Sequence, residues 1–110
     1  MTPKEVADMI AEIGLPYAYY EFPDDTERKP PFVAFMLTDN NDFLADDKNY
    51  IEQRTLVIEL YTREKDFDLE QTVRNVLNEY DLPFEQESEY LDDERCWITI
   101  FTTEVILANG

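Results

Sequence analysis

Residues Tyr50–Thr62 read YIEQRTLVIELYT, and this stretch decides how the rest of the chain is folded. Its side chains alternate: Leu56, Ile58 and Leu60 point one way, Val57, Glu59 and Tyr61 the other. That is the period of a pleated strand, and the β-branched and aromatic content suits one. The preceding run, FVAFMLT over Phe32–Thr38, is apolar on both faces. It predicts a central strand covered on both sides, paired with the first as an extended hairpin. Between them DNNDFLADDKN, residues 39–49, reads as a polar loop carrying Phe43 and Leu44.

Toward the N-terminus, MTPKEVADMIAEIGLP carries every signal of a short helix. Thr2 and Glu5 form a T-x-x-E capping box and Pro3 suits the first helical position. Val6, Met9, Ile10 and Ile13 recur at helical spacing, Gly14 supplies a left-handed terminus and Pro16 blocks continuation. A helix is expected over residues 3–13. The stretch YAYYEFPDD, Tyr17–Asp25, then changes to period two and reads as one strand ending in a solvated turn, PDDTERKPP.

Toward the C-terminus a second helix is expected from about Asp68, where Asp68 and Gln71 make a weaker capping box and Asp68 and Glu70 favour the positive helix end. Leu69, Val73, Val76, Leu77 and Tyr80 give it an apolar stripe, and Pro83 ends it. FEQESEYL and RCWITIFTTEVIL, joined by a DDER turn, close the chain as a hairpin with Glu85, Glu87 and Glu89 on one face. The element order is therefore α-β-β-β-α-β-β. The fold class expected is α+β: one domain over residues 1–110, an antiparallel sheet of about five strands with two helices packed on one face.

Composition narrows function. The 110 residues hold 26 acidic and 9 basic side chains, a net charge of −17. Such a surface repels nucleic acid and anionic lipid, because phosphate binding needs clustered Lys and Arg. With no histidine, Ser-His and Cys-His nucleophiles are excluded, and a single cysteine, Cys96, makes neither a disulfide nor a zinc site. Beside Trp97 in an apolar strand, Cys96 reads as a core residue. The two glycines, Gly14 and Gly110, build no phosphate loop. The aspartate pairs Asp24/Asp25, Asp46/Asp47 and Asp92/Asp93 lack the spacing and the glycine of a calcium loop and read as turns. No cofactor, metal or enzymatic activity is expected. No signal peptide or membrane span is visible, so the chain is expected in the cytoplasm.

The whole pattern resembles a family. A capped helix, then PYAYYEFPDD, PPFVAFML, NNDFLADDKNY, RTLVIELYTREKD, a second helix and an acidic hairpin resemble the small tail-completion, tail-terminator and head–tail joining proteins of tailed bacteriophages and prophages of Gram-positive bacteria. The likeness spans residues 3–107 and lies in element order and segment wording. It implies a structural role: a homo-oligomeric ring, such as a hexamer, that ends the tail tube or joins tail to head. Its partners would be other tail or neck proteins, and its place the host cytoplasm during assembly and then the virion. Under that resemblance the interface candidates are Phe43, Leu44, Asp46, Asp47 and Tyr50, within or beside the loop 39–49, together with the strand edges. Phe43 and Leu44 either dock on a neighbouring subunit or tuck beneath their own loop. A carboxylate-lined ring would let DNA slide through without binding it. The rival reading is an acidic DNA mimic that occupies the basic channel of a host nucleic-acid-binding protein, with Glu85, Glu87 and Glu89 as its regular row.

Overall fold

The computed structural model describes residues 1–19, 29–42 and 51–108. Helix α1 spans Pro3–Ala11, followed by strand β1 (Tyr17–Tyr19), β2 (Phe32–Asp42), β3 (Ile51–Thr62), helix α2 (Phe67–Glu79), β4 (Phe84–Leu91) and β5 (Cys96–Ala108). The order matches the sequence reading. Boundaries differ where hydrogen bonding, rather than hydrophobic spacing, decides them.

In α1 the capping box forms: the Glu5 N–H donates to Thr2 Oγ1 (3.1 Å) and the Thr2 N–H to Glu5 Oε1 (3.0 Å). The regular helix stops at Ala11 rather than 13 because the last N–H groups reach back only three residues. Glu12 bonds to Met9 O, Ile13 to Ile10 O and Gly14 to Ala11 O, each at 3.1 Å. Ile13 still reaches the core. Gly14 takes a φ of +87°, the left-handed conformation expected of it. Helix α2 starts earlier than Asp68, because Asp66 is its cap and accepts the Leu69 N–H on Oδ1 at 3.0 Å. It closes through the Leu82 N–H on Leu77 O (3.0 Å), with Asp81 at a φ of +55° just before Pro83.

The five strands form one sheet in the order β1-β2-β3-β5-β4. Pairs β2–β3, β3–β5 and β5–β4 are antiparallel. The sheet is nonetheless mixed, which corrects the antiparallel expectation: β1 lies parallel to β2, with Tyr17 beside Val33 and Tyr19 beside Phe35. Two further corrections concern the long hairpin. Strand β2 continues through Asp42, past a register shift between Thr38 and Asn40, so residues 39–42 belong to the strand, 40–42 of them paired with β3, rather than to a loop. And β2 is covered on one face only, because both helices pack on the same side.

That side is the core. Val6, Met9, Ile10 and Ile13 from the N-terminal helix and its closing turn, and Val73, Val76 and Leu77 from α2, meet Val33, Phe35, Leu56, Ile58, Leu60, Phe101, Val105 and Leu107 of the sheet. The stripe Leu56–Ile58–Leu60 read from the sequence is wholly buried. At roughly 1.5–3 kcal/mol for each large apolar side chain fully buried, this single layer is the main stabilising contribution.

Candidate functional site

The interface candidates Phe43, Leu44, Asp46, Asp47 and Tyr50 lie outside the described residues, as do Asp24 and Asp25. The backbone nearest the first group is described: Asn40 pairs with Arg54, Asn41 with Gln53 and Asp42 with Glu52. The described ladder of β2 and β3 thus runs from the Phe32–Tyr61 pair at one end to the Asp42–Glu52 pair at the other.

The surface that the described residues present most completely is the helix-free face of the sheet. Strand register brings its side chains into rows. Phe32, Tyr61, Ile98 and Glu89 form one, Ala34, Glu59, Ile100 and Glu87 the next, and Met36, Val57, Thr102 and Glu85 a third. The middle of this face is apolar apart from Glu59, and its β4 margin is a file of carboxylates. Phe32 stacks on Tyr61 at 4.6 Å between ring centroids. Farther along, Gln53 donates to Glu104 (2.7 Å), and Ile106 is 59% exposed. Shallow depressions run beside the file: about 250 Å³ among Glu87, Ser88, Glu89 and Ile100, and about 90 Å³ among Glu85, Gln86, Glu87, Ile100 and Thr102. Glu85, Glu87 and Glu89 share one face, as the sequence indicates, and all three are exposed.

A polar cluster fastens α2 to β4 on the other face. Glu70, which sequence reasoning placed at the helix start only for its charge, is 3% exposed. Its carboxylate takes Lys65 Nζ at 2.7 Å and Gln86 Nε2 at 3.1 Å. Lys65 also donates to Ser88 Oγ (3.0 Å) and lies 5.4 Å and 5.5 Å from the Phe67 and Trp97 ring centroids. Ser88 and Thr99 share a hydroxyl–hydroxyl bond at 3.0 Å, and Arg74 reaches Gln86 Oε1 at 2.9 Å. The sequence signal for Glu70 is faint: it lies next to Leu69 on the inward stripe, but its partners come from other elements.

Two tyrosines are perturbed. Burial, reinforced by the Glu59 charge and by the bond Tyr61 donates to Glu59, pushes the Tyr61 phenol up. Tyr80 is pushed up to about 12, chiefly by the hydrogen bond its hydroxyl donates to the Glu12 carboxylate. Burial also raises the Cys96 thiol, with the Glu94 charge adding to it, which opposes thiolate formation. Asp92 and Asp93 sit exposed in the turn between β4 and β5. Among the described residues no three His, Cys, Asp or Glu side chains converge to hold a metal ion, and no helix is long and apolar enough to cross a membrane.

The fold is thus an α+β sandwich of one sheet and one helical layer. No protein-family model matches the chain, and no curated protein matches it by sequence. Among solved structures it is similar to a chain of the virion of a native gene transfer agent particle, with a TM-score of 0.56 and 14% identity. The match covers 94% of this chain and 86% of that one. At that identity the likeness is one of fold.

Proposed function

We infer that this chain is a structural protein of a phage-like particle, and that it works as a ring at the tail or neck, ending the tail tube or joining tail to head. The observation that carries the reading is the fold likeness to a gene transfer agent virion chain over nearly the full length of both. The element order and segment wording of the sequence point independently the same way. The charge of −17 supports it physically, since a subunit through which DNA passes must not retain it.

In this reading the subunit is not an enzyme. It meets copies of itself, in a ring such as a hexamer, and other tail or neck proteins, first in the host cytoplasm and then in the particle. Phe43, Leu44, Asp46, Asp47 and Tyr50 contribute to the subunit interface, because in sequence they lie between the paired strands β2 and β3 and set apolar and aromatic side chains among acidic ones. The DNA-mimic alternative has weaker support. Its one regular carboxylate row, on β4, is backed by Ile98, Thr102 and Ile100 rather than by a second parallel row.

The test is genetic. Deleting the coding sequence from the genome that carries it and imaging the particles by negative stain is expected to give tails of uncontrolled length, or heads and tails that stay apart. Normal, fully joined particles would overturn the reading.

A further inference from the structure

Among the described residues strand β4 is an edge of the sheet, paired with β5 on one side and with no strand on the other. Every second residue of such a strand turns its N–H and C=O outward, a ready template for one more strand. Over Phe84–Leu91 it contains no proline, and its pairing with β5 runs in unbroken register from Phe84–Thr103 to Leu91–Cys96. The opposite edge, β1, is only three residues long. The usual protections of an edge, a bulge or a proline or a short length, are therefore missing from β4, and charge alone guards it.

That charge is directional. Glu85, Glu87 and Glu89 project on the helix-free face at the side-chain period of a strand, about 6–7 Å. Glu59 continues the negative field inward, on the same row as Glu87 and Ile100. A strand laid outside β4 places alternate side chains directly opposite these glutamates. Acidic residues there would be repelled. Lysine or arginine would be attracted, their apolar stems covering the depressions beside Ile100.

We propose that β4 takes, as an added strand, an extended segment of another protein carrying Lys or Arg at every second position. A second copy of this chain does not qualify. β4 against β4 sets glutamate against glutamate, and nowhere among the nine basic residues do three stand at alternate positions. The proposal rests on the sheet edge of the single chain and is independent of ring formation.

The probe is a fluorescein-labelled eight-residue peptide alternating lysine with valine, titrated into the intact protein by anisotropy. Neutralising the file (Glu85→Gln, Glu87→Gln and Glu89→Gln together) is expected to weaken binding about tenfold. Neutralising three exposed carboxylates elsewhere (Asp8→Asn, Glu79→Gln and Asp81→Asn) leaves it nearly unchanged. Hydrogen exchange separates strand addition from loose attraction: alternate β4 amides slow on binding, and a peptide N-methylated at alternate backbone positions fails to bind. Equal losses in the two triple variants, or β4 amides that exchange at the same rate with peptide bound, would overturn the proposal. A mass increase showing copies joined through β4 would do so too.

Discussion

Lys65 and Glu70 show how one buried carboxylate shapes this molecule. Glu70 is almost fully enclosed, so its charge depends on Lys65 at 2.7 Å and Gln86 at 3.1 Å. Lys65→Met keeps the stem against Phe67 and Trp97 but strands the carboxylate. A loss of about 3 kcal/mol is expected, the lower end for breaking a buried pair because Lys65 is itself partly exposed. It would be read as a fall in urea midpoint at constant slope. The tyrosines give a pH test. A phenol whose folded pKa is raised contributes stability that is complete below the ordinary value near 10 and is lost as pH climbs through the folded value. For Tyr80 that window is about pH 10 to 12. Tyr80→Phe should therefore lose less stability than wild type over that range. In an ultraviolet titration of the seven tyrosines the variant should lack one late-ionising phenol. An unchanged late phase would contradict the Glu12 bond.

At the scale of elements, local signals and long-range ones part company. The capping box, the Gly14 terminus and the Leu56–Ile58–Leu60 stripe are local, and each forms as its residues dictate. Thr2→Ala should cost about 1 kcal/mol, since the Glu5 N–H loses its acceptor. Gly14→Ala should cost a similar ~1 kcal/mol from backbone strain alone, because a Cβ there meets nothing within 4 Å. Phe101→Ala, fully buried on β5, should cost about 3–5 kcal/mol. Thermal melts of the three variants would rank them, with Phe101→Ala well below the others. What the sequence hid is the non-local part. Tyr17 and Tyr19 alternate correctly for a strand, but alternation is blind to whether the neighbour runs parallel, and β1 does. Phe32–Thr38 is apolar on both faces without a second layer, because Ala34 and Met36 are screened by neighbours across the sheet, with Glu59 and Val57 alongside. Asp66 does not stand out as the cap in the sequence because Asp68 two residues on offers the same chemistry. For the candidate site, the glutamate row on β4 was legible as a period. That β4 is an edge was not, since it follows from β5 inserting between β3 and β4.

The whole molecule is a one-sided sandwich with an acidic surface and a helix-free face. Its fold is similar to that of a virion chain of a gene transfer agent; the ring at the tail or neck is the proposed role, for which its charge and element order are the physical motive. A ring also suits the charge physically: self-repulsion at −17 per subunit limits indiscriminate association, so specific contacts must supply the assembly. That predicts salt dependence, with higher ionic strength favouring the assembled form by screening like charges. The decisive measurement is the solution mass by light scattering after size exclusion, across protein concentration and with and without purified tail tubes. A ring subunit gives a discrete multiple of the 13.1 kDa chain, alone or once tubes are added. A mass of one chain under every condition, tubes included, would contradict it.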